Sequence, residues 1–229
     1  MGIHDGHRER MKARFLEHGL DNFDDIQILE MLLFYSIPMG DVNPTAHALL
    51  NHFGSLAAVF DAPFDELVKV RGVGRNSATL IKLIPQIDRR YMISKNAFDN
   101  ILNSTETLGR YIMPRFHGET DEVVYLICLD AKLRVLSCKI VGRGSVNSTG
   151  FSVRKIVETA LACNASCAVL AHNHTSGIAL PSREDAVATK MLYDALLSVD
   201  IRLIDHIIVA GDDFVSMADS GYIKDGEEV

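Results

Sequence analysis

Apolar residues in the first 95 positions recur at helical spacing and are separated by capping residues and helix breakers. Asn43-Pro44 predicts a helix cap at Asn43 followed by proline at the first helical position, and Gly19 and Gly54 are typical of helix ends. The pattern predicts short helices over 7–18, 24–34, 43–54, 64–70 and 75–95. No run in this segment alternates convincingly with a period of two, so we predict an all-α domain over residues 1–100.

The pattern changes after residue 100, where short runs rich in Val, Ile and Tyr alternate with helical segments. These runs predict strands over 122–129, 133–141, 167–171 and 201–210. The segments between them predict helices over 107–116, 152–163 and 182–198. Strands that alternate with helices are typical of a layered, mixed α/β domain. We therefore predict an α+β protein of two domains, the second over residues 101–229.

Composition narrows the class of protein. The chain has 229 residues and is 48% hydrophobic, enough to bury a substantial core, but it contains no run of about 18 apolar residues that would span a membrane. Its N-terminus lacks the apolar core of a signal peptide, and four cysteines in a chain this long do not suggest a disulfide framework. We therefore expect a cytoplasmic protein without membrane contact. A net charge of −7 argues against a generic nucleic-acid coat protein, so any DNA contact must be local.

Candidate chemistry follows the apolar run 168–171. His172 and His174 come next, and since residues two apart on a strand point to the same face, both imidazoles can converge on one metal ion. Asp185 adds a carboxylate at the predicted start of the next helix. Two histidines and one carboxylate leave the fourth position of a tetrahedral zinc ion open, as a catalytic site requires. A nearby carboxylate and a hydroxyl would then supply a general base and oxyanion stabilisation.

Other interpretations of these residue types stay open. A His-x-His pair also occurs in polar loops, and Ser182 with Asp185 also fits a helix capping box. Cys163 and Cys167 together with the two histidines would form a structural Cys2His2 zinc site. The tripeptide 172–174 reads His-Asn-His, but the residues of HNH nucleases are widely spaced, and the motif elements of zinc nucleobase deaminases are absent.

The complete spacing, His-x-His, seven residues, Ser, two residues, Asp, resembles the JAMM motif of JAB/MPN domains. The chain resembles the RadC-like branch of that superfamily over nearly its whole length, most clearly over 142–147, 172–174, 176–177, 181–182 and 205–206. The resemblance implies an all-α helix-hairpin-helix domain followed by a JAB/MPN domain of cytidine-deaminase-like fold. It also implies one Zn²⁺ per chain and a protein or peptide substrate that is cleaved at a peptide or isopeptide bond.

The same resemblance assigns roles to particular residues. His172, His174 and Asp185 would bind the zinc ion, and Ser182 would lie beside it and stabilise the tetrahedral intermediate. His206 lies in a predicted strand. It is either an ordinary core histidine or a residue that contacts one of the metal-binding side chains and not the metal itself.

The general base is less determined than the ligands. Glu122, which precedes the first predicted strand, fits the family's glutamate that holds and deprotonates the attacking water, but Glu119 lies nearby and Glu158 lies in the next helix. The chain departs from the family pattern at Thr175, where proline is usual, and at Lys155, where glutamate is usual. The first departure removes no ligand, and the second puts in doubt any partner or substrate contact at that position.

Residues 70–78 resemble a helix-hairpin-helix turn. Gly72 and Gly74 would allow a tight turn that brings backbone N–H groups against a phosphate at the start of the next helix. Lys69, Arg71 and Arg75 supply positive charge around this turn. Such a module would bind the DNA backbone with little sequence preference, although the same hairpin also serves packing or protein contacts.

Two hypotheses for the function follow. The first is a zinc-dependent metallohydrolase that acts on amide bonds. The second is a DNA-binding accessory protein of repair or recombination, in which the zinc site is structural or vestigial. Phosphodiester cleavage at the same zinc site also stays open, but it has no motif of its own in this sequence.

Overall fold

The computed structural model describes residues 3–95, 101–144 and 152–223. The chain divides into two compact units, Met1–Asp88 and Arg89–Val229. The predicted domain boundary near residue 100 lies at the end of a segment, 96–100, that is outside the described residues. Positions 145–147 of the RadC-like segment are also outside them.

The first unit is helical, as the sequence predicts. Its helices are α1 (Ile3–His18), α2 (Asp25–Ser36), α3 (Asn43–Phe53), α4 (Leu56–Asp61), α5 (Phe64–Leu67) and α6 (Arg75–Lys95), the last of which continues past the division at residue 88. Asp24 caps α2, since its side chain accepts the backbone N–H of Gln27 at 2.8 Å. Asn43 is not the cap that the sequence predicts, because Val42 occupies the capping position and Asn43 is already helical.

Two glycines between α5 and α6 differ in what the fold demands of them. Gly72 has a φ of +90°, and a Cβ atom built on it would lie 2.2 Å from Oγ1 of Thr45, so both its conformation and its packing require glycine. Gly74 lies outside this φ region, and a Cβ atom there would meet nothing within 4 Å. The fold of the first unit therefore requires Gly72 but leaves space at Gly74.

The described part of the second unit is a five-stranded sheet with helices on both faces. In chain order its elements are α7 (Thr105–Phe116), β1 (Val123–Leu129), β2 (Val135–Arg143), α8 (Val153–Ala162), β3 (Cys167–Asn173), α9 (Arg183–Leu197), β4 (Arg202–Ala210) and β5 (Asp213–Ser216). The strand order is β2-β1-β3-β4-β5, with β3 and β4 parallel and the other neighbours antiparallel. The predicted α+β class is confirmed.

Alternate residues of the strands pack into two separate cores, as the pleat of a sheet requires. Ile127 and Val169 belong to the core under α7, whereas Leu126 and Leu170 belong to the core under α8 and α9. His172 continues the second set, because it lies two residues after Leu170. The metal-site candidates are thus placed on the face of the sheet that α9 covers.

The sequence did not predict β5, which has only four residues and follows β4 after a tight turn. Asp205 secures this segment against β4, because its carboxylate accepts the hydroxyl of Ser216 at 2.6 Å and the backbone N–H of Ala218 at 3.0 Å. None of the helices in the described segments has the length and apolarity that crossing a membrane requires.

Candidate metal centre

His172 and His174 lie at the carboxyl end of β3. His172 is within the strand and 1% exposed. The backbone N–H of His174 donates to the carbonyl of Val209 at 2.8 Å, which continues the pairing with β4 beyond the last strand residue. Since extended geometry holds at both histidines, their rings fall on one face. The strand is two residues longer than predicted and includes the first histidine.

Asp185 completes a cluster with the two histidines. Nε2 of His172 is 2.9 Å from Nε2 of His174 and 3.1 Å from Oδ1 of Asp185, and Nε2 of His174 is 3.3 Å from Oδ2 of Asp185. A tetrahedral zinc ion with ligand distances of about 2.1 Å separates its ligand atoms by about 3.4 Å. The three side chains therefore stand near the separations of a metal site, and they form the one such group found among the described residues.

The start of α9 fixes the carboxylate of Asp185. Oγ of Ser182 accepts the backbone N–H of Asp185 at 3.0 Å, while the N–H and the hydroxyl of Ser182 donate to Oδ2 of Asp185 at 2.8 and 2.5 Å. Burial raises the pKa of Asp185, but its contacts with His172 and Ser182 outweigh burial, and the net effect is a pKa below the ordinary value. Asp185 is thus an anion that both caps the helix and faces the histidines, and the two interpretations of this pair are compatible.

A chain of hydrogen bonds behind the cluster determines which nitrogens face it. Thr189 donates its one hydroxyl proton to the carbonyl of Asp185 at 2.6 Å, so its oxygen accepts Nδ1–H of His206, also at 2.6 Å. Complete burial lowers the pKa of His206 well below its ordinary value, so this ring is neutral. Its Nε2 then accepts Nδ1–H of His172 at 2.8 Å. Nε2 of His172 consequently presents a lone pair to the cluster.

His174 is oriented in the same way from the other side. Its Nδ1 is 3.1 Å from the carbonyl oxygen of Ile178, which can only accept, so the ring proton lies on Nδ1 and Nε2 faces the cluster. Two nitrogen lone pairs and a carboxylate therefore converge, an arrangement that a cation must neutralise. Either a proton shared by the rings or a metal ion satisfies it. The donor set fits a metal, because two imidazoles and a carboxylate match catalytic zinc sites with an open fourth position.

Glu122 lies immediately before β1 and is half-buried. Val124 is opposite His172 in the β1–β3 pairing. Because side chains two apart share a face, Glu122 projects from the face of the sheet that carries His172. It lines a shallow, open cleft together with Thr175, the residue that follows the second histidine.

The two other glutamates that the sequence offered as bases are paired with arginines. The carboxylate of Glu119 is 2.6 Å from Arg89 and 3.2 Å from Arg143, and that of Glu158 is 2.8 Å from Arg154 on α8. An arginine partner occupies the oxygens of a carboxylate and fixes its direction. The ion pairs therefore leave Glu122, at the cleft, as the best placed of the three.

The two cysteines of the alternative zinc site do not approach the histidines. Cys163 follows α8, and its sulfur is 3.1 Å from the hydroxyl oxygen of Ser137. Cys167 begins β3, five residues from His172, a separation of about 17 Å along an extended strand. The Cys2His2 alternative is therefore wrong.

Comparison with known proteins agrees with this geometry. A family model described as RadC-like JAB domain matches residues 102–222. The chain belongs to the RadC family. A UPF0758 protein of Paraburkholderia xenovorans (strain LB400) is 32% identical over 92% of this chain and 83% of its own length. Another, of Janthinobacterium sp. (strain Marseille), is 31% identical over 94% of this chain and 96% of its own length.

The match to the RadC family covers every candidate residue in the second unit, as well as the two positions predicted from the sequence to depart from the family pattern. Thr175 borders the cleft and does not belong to the cluster of His172, His174 and Asp185. Lys155 is exposed on α8, and its backbone N–H donates to the hydroxyl of the capping residue Ser152 at 3.3 Å. Neither departure alters the metal cluster.

The cationic residues of the hairpin lie in the first unit of this RadC-family chain and are unequally available. Lys69 forms an ion pair with Glu66 at 2.6 Å. The guanidinium of Arg75 lies 5.3 Å from the ring centroid of Phe64, and Arg71 is exposed. A phosphate would therefore meet Arg71 and Arg75 more readily than Lys69, whose charge is already balanced.

Two residues of the RadC-family site received no role from the sequence. Thr189 is four residues after Asp185, so the two share a helix face, a spacing that could have pointed to it. Asn173 lies between the two histidines, but strand alternation places its side chain on the opposite face of the sheet. Its contacts became visible only in the structure.

Proposed function

We propose that this protein is a zinc-dependent hydrolase that cleaves amide bonds of the peptide or isopeptide type. The observation that carries the proposal is the convergence of two imidazole lone pairs and an ionised carboxylate at the end of β3, with Glu122 on the same face. A structural zinc site is closed by a fourth protein ligand, whereas the group found among the described residues supplies three. An open fourth position on the face of the sheet that also carries Glu122 supports catalysis.

The chemistry divides between the ion and the chain. Bound zinc supplies Lewis acidity, which makes water a nucleophile near neutral pH. Glu122, at the cleft, takes the proton of the attacking water and gives it to the leaving nitrogen.

Ser182 supplies the hydrogen bond to the developing oxyanion. Its hydroxyl proton is directed to Oδ2 of Asp185 at 2.5 Å, so the hydroxyl must rotate towards the substrate to play this part. The backbone N–H of Ser182 also donates to Oδ2, at 2.8 Å, and does not depend on that rotation. The carboxylate of Asp185 therefore stays in place while the hydroxyl turns.

The test is cleavage by the zinc-loaded protein. We would incubate it with peptide libraries and lysine isopeptides and identify new termini by mass spectrometry. Metal-dependent cleavage is expected, lowered about 10²- to 10⁴-fold by Glu122→Gln. Glu119→Gln is the matched control, because it removes a nearby carboxylate that is paired with arginines. Zinc-loaded protein that cleaves no amide in a broad panel contradicts the proposal.

We further propose that the hairpin of the first unit binds the DNA backbone, the function of an accessory protein in repair or recombination. Arg71 is exposed beside the turn, and Gly74 has the open space that close approach of a phosphate needs. The overall charge of −7 confines such binding to this local patch. Its salt dependence provides the test.

A further inference from the structure

We propose that Asn173 is a positioning residue, which holds the segment bearing Glu122 so that its carboxylate faces the metal ligands. The inference rests on the proposed hydrolase function and adds a residue to its machinery. The side chain of Asn173 forms its hydrogen bonds with backbone groups of the segment that lines the cleft, not with the histidine cluster. Its action would pass through the backbone on either side of Glu122.

Asn173 extends the sheet where its backbone pairing stops. The β1–β3 pairing ends one residue before Asn173. The side chain then forms two hydrogen bonds across the same gap: Oδ1 accepts the backbone N–H of Val123 at 2.7 Å, and Nδ2 donates to the carbonyl of Asp121 at 3.0 Å. These backbone groups belong to the residues directly before and directly after Glu122.

Only a side-chain amide of this length satisfies both backbone groups. The N–H of Val123 needs an acceptor and the carbonyl of Asp121 needs a donor, and an amide offers one of each. Aspartate would turn an oxygen towards the carbonyl, and an aliphatic residue would satisfy neither group. Asn173 is 6% exposed and Val123 is fully buried, so water does not replace the lost bonds cheaply.

The two side chains leave the sheet in opposite directions. Asn173 follows Ala171 by two residues and shares its face, which packs under α7. Glu122 precedes Val124 by two residues and shares its face, which packs under α9. A rotation of the 121–123 backbone that moved Glu122 away from the histidines would break both bonds to Asn173. The asparagine thus fixes from one face where the glutamate points on the other.

The neighbouring strand also holds this residue, but without side-chain specificity. The backbone N–H of Gly144 donates to the carbonyl of Glu122 at 2.8 Å. Because this bond joins two backbone groups, it fixes one edge of the segment for any residue at position 122. The other edge depends on Asn173, so the orientation of Glu122 is sensitive to a substitution there.

The first measurement is amide hydrogen exchange on the full chain. Asn173→Ala is expected to speed exchange at Val123 about tenfold, the effect of removing one buried hydrogen bond. Amides in the centre of the β1–β3 ladder should be unchanged. Asn51→Ala, an exposed asparagine on α3, is the matched control. Unchanged exchange at Val123 in Asn173→Ala would overturn the proposal.

The second measurement reads the position of Glu122 without substrate. In protein loaded with Co²⁺, the paramagnetic ion broadens the side-chain resonances of nearby residues steeply with distance, and the zinc-loaded protein is the reference. Broadening at Glu122 is expected to fall severalfold in Asn173→Ala, while broadening at His206, behind the ligands, stays the same. A merely structural asparagine would change both residues or neither.

A second variant tests the same role with a smaller change to the side chain, in case Asn173→Ala does not fold. Asn173→Asp retains the acceptor for Val123 but loses the donor to Asp121, so it should give an intermediate loss of broadening at Glu122. If both variants keep the wild-type broadening, the positioning role fails while the hydrolase proposal stands. If Co²⁺ binds but the resonances of Glu122 are not broadened in the wild-type chain, Glu122 does not lie near the ion. That result would contradict both the proposed function and the role of Asn173.

Discussion

The two units place their polar groups in opposite circumstances. In the second unit, the nitrogens and oxygens of His172, His174 and Asp185 are drawn together in a largely buried cluster, and their remaining hydrogen bonds aim lone pairs at one another. In the first unit, the charges around the hairpin are at the surface, where Lys69 is paired with Glu66 and Arg71 is exposed to solvent.

The difference shows how strongly each site implies a ligand. Buried lone pairs that face each other are unfavourable unless a cation, either a shared proton or a metal ion, lies between them. Exposed cations are solvated by water and need no partner. The cluster therefore needs a cation and could hold a metal ion, whereas the hairpin needs no ligand, and its contact with DNA has to be established by binding.

The largest expected effect is on metal content. We expect the protein to hold about one zinc ion per chain, and the double substitution His172→Ala/His174→Ala to remove it, because two of three ligands are lost. Elemental analysis measures the metal, and far-UV circular dichroism verifies that the fold persists. His47→Ala/His52→Ala is the control, since both residues are exposed on α3 and should leave the zinc in place. Wild-type protein that takes up no zinc on reconstitution would remove the contrast between the units.

The next effect is on the stability of the first unit. Gly72→Ala should lower the free energy of unfolding by about 3 kcal/mol, since it combines backbone strain at positive φ with a clash against Thr45. Gly74→Ala should change it by less than about 1 kcal/mol, because the added Cβ atom meets open space. Urea denaturation measures the free energy of unfolding of both variants, and hydrogen exchange at the amides of α3 shows whether the change lies in the first unit.

The outcome also separates two roles of glycine in the hairpin. A large loss of stability at Gly72 alone would mean that this residue serves the fold, and that Gly74 is available for close contact with a phosphate. Equal losses at both positions would show that the turn is built for packing throughout. The DNA contact would then lose one of its two supporting observations.

The sequence predicted more of the ligands than of their surroundings. Helix caps at Asp24 and Ser182 were identifiable because a cap is local, and the JAMM spacing placed all three ligand candidates. The sequence did not predict the short strand β5, because four residues are too few to show alternation and because its position depends on contacts with Asp205. Local sequence patterns predict helices and strands, but they do not reveal which residues far apart in the sequence pair with one another.

The same limit applies within the site. His206 could be assigned to either a core or a supporting role, and only the pairing of β4 with β3 brings its ring to 2.8 Å from His172. Asn173 stands between two ligands in the sequence, yet its partners lie 50 or more residues away, at Val123 and Asp121. The candidate ligands could therefore be named from the sequence, and the residues that orient their side chains could not.

A smaller effect is expected from the support behind the metal ligands. Thr189→Val removes the acceptor for Nδ1–H of His206, so the proton of that ring can move to Nε2. Nε2–H of His206 would then donate to Nδ1 of His172, and the proton of His172 would have to lie on Nε2, the nitrogen that faces the cluster. Zinc affinity should fall about 10- to 100-fold. Thr159→Val is the matched control, because its hydroxyl makes the same bond to the preceding helical turn, at 2.7 Å to Lys155, but meets no histidine. Competition with a chelator gives the affinities, and equal values would show that the histidines orient themselves.

The smallest effect is expected at the hairpin. If Arg71 and Arg75 contact DNA phosphates, each substitution by alanine should reduce the slope of log K against log salt concentration by about 1, whatever the DNA sequence. Lys69→Ala should change the slope less, because Lys69 already balances Glu66. Arg154→Ala should not change it, because Arg154 is paired with Glu158 in the second unit.

Fluorescence anisotropy over a range of salt concentrations measures the slope, with and without zinc. Binding that depends on the two arginines but not on the metal would establish two independent sites in one chain. Binding without salt dependence, or no binding, would leave the hairpin as an element of packing.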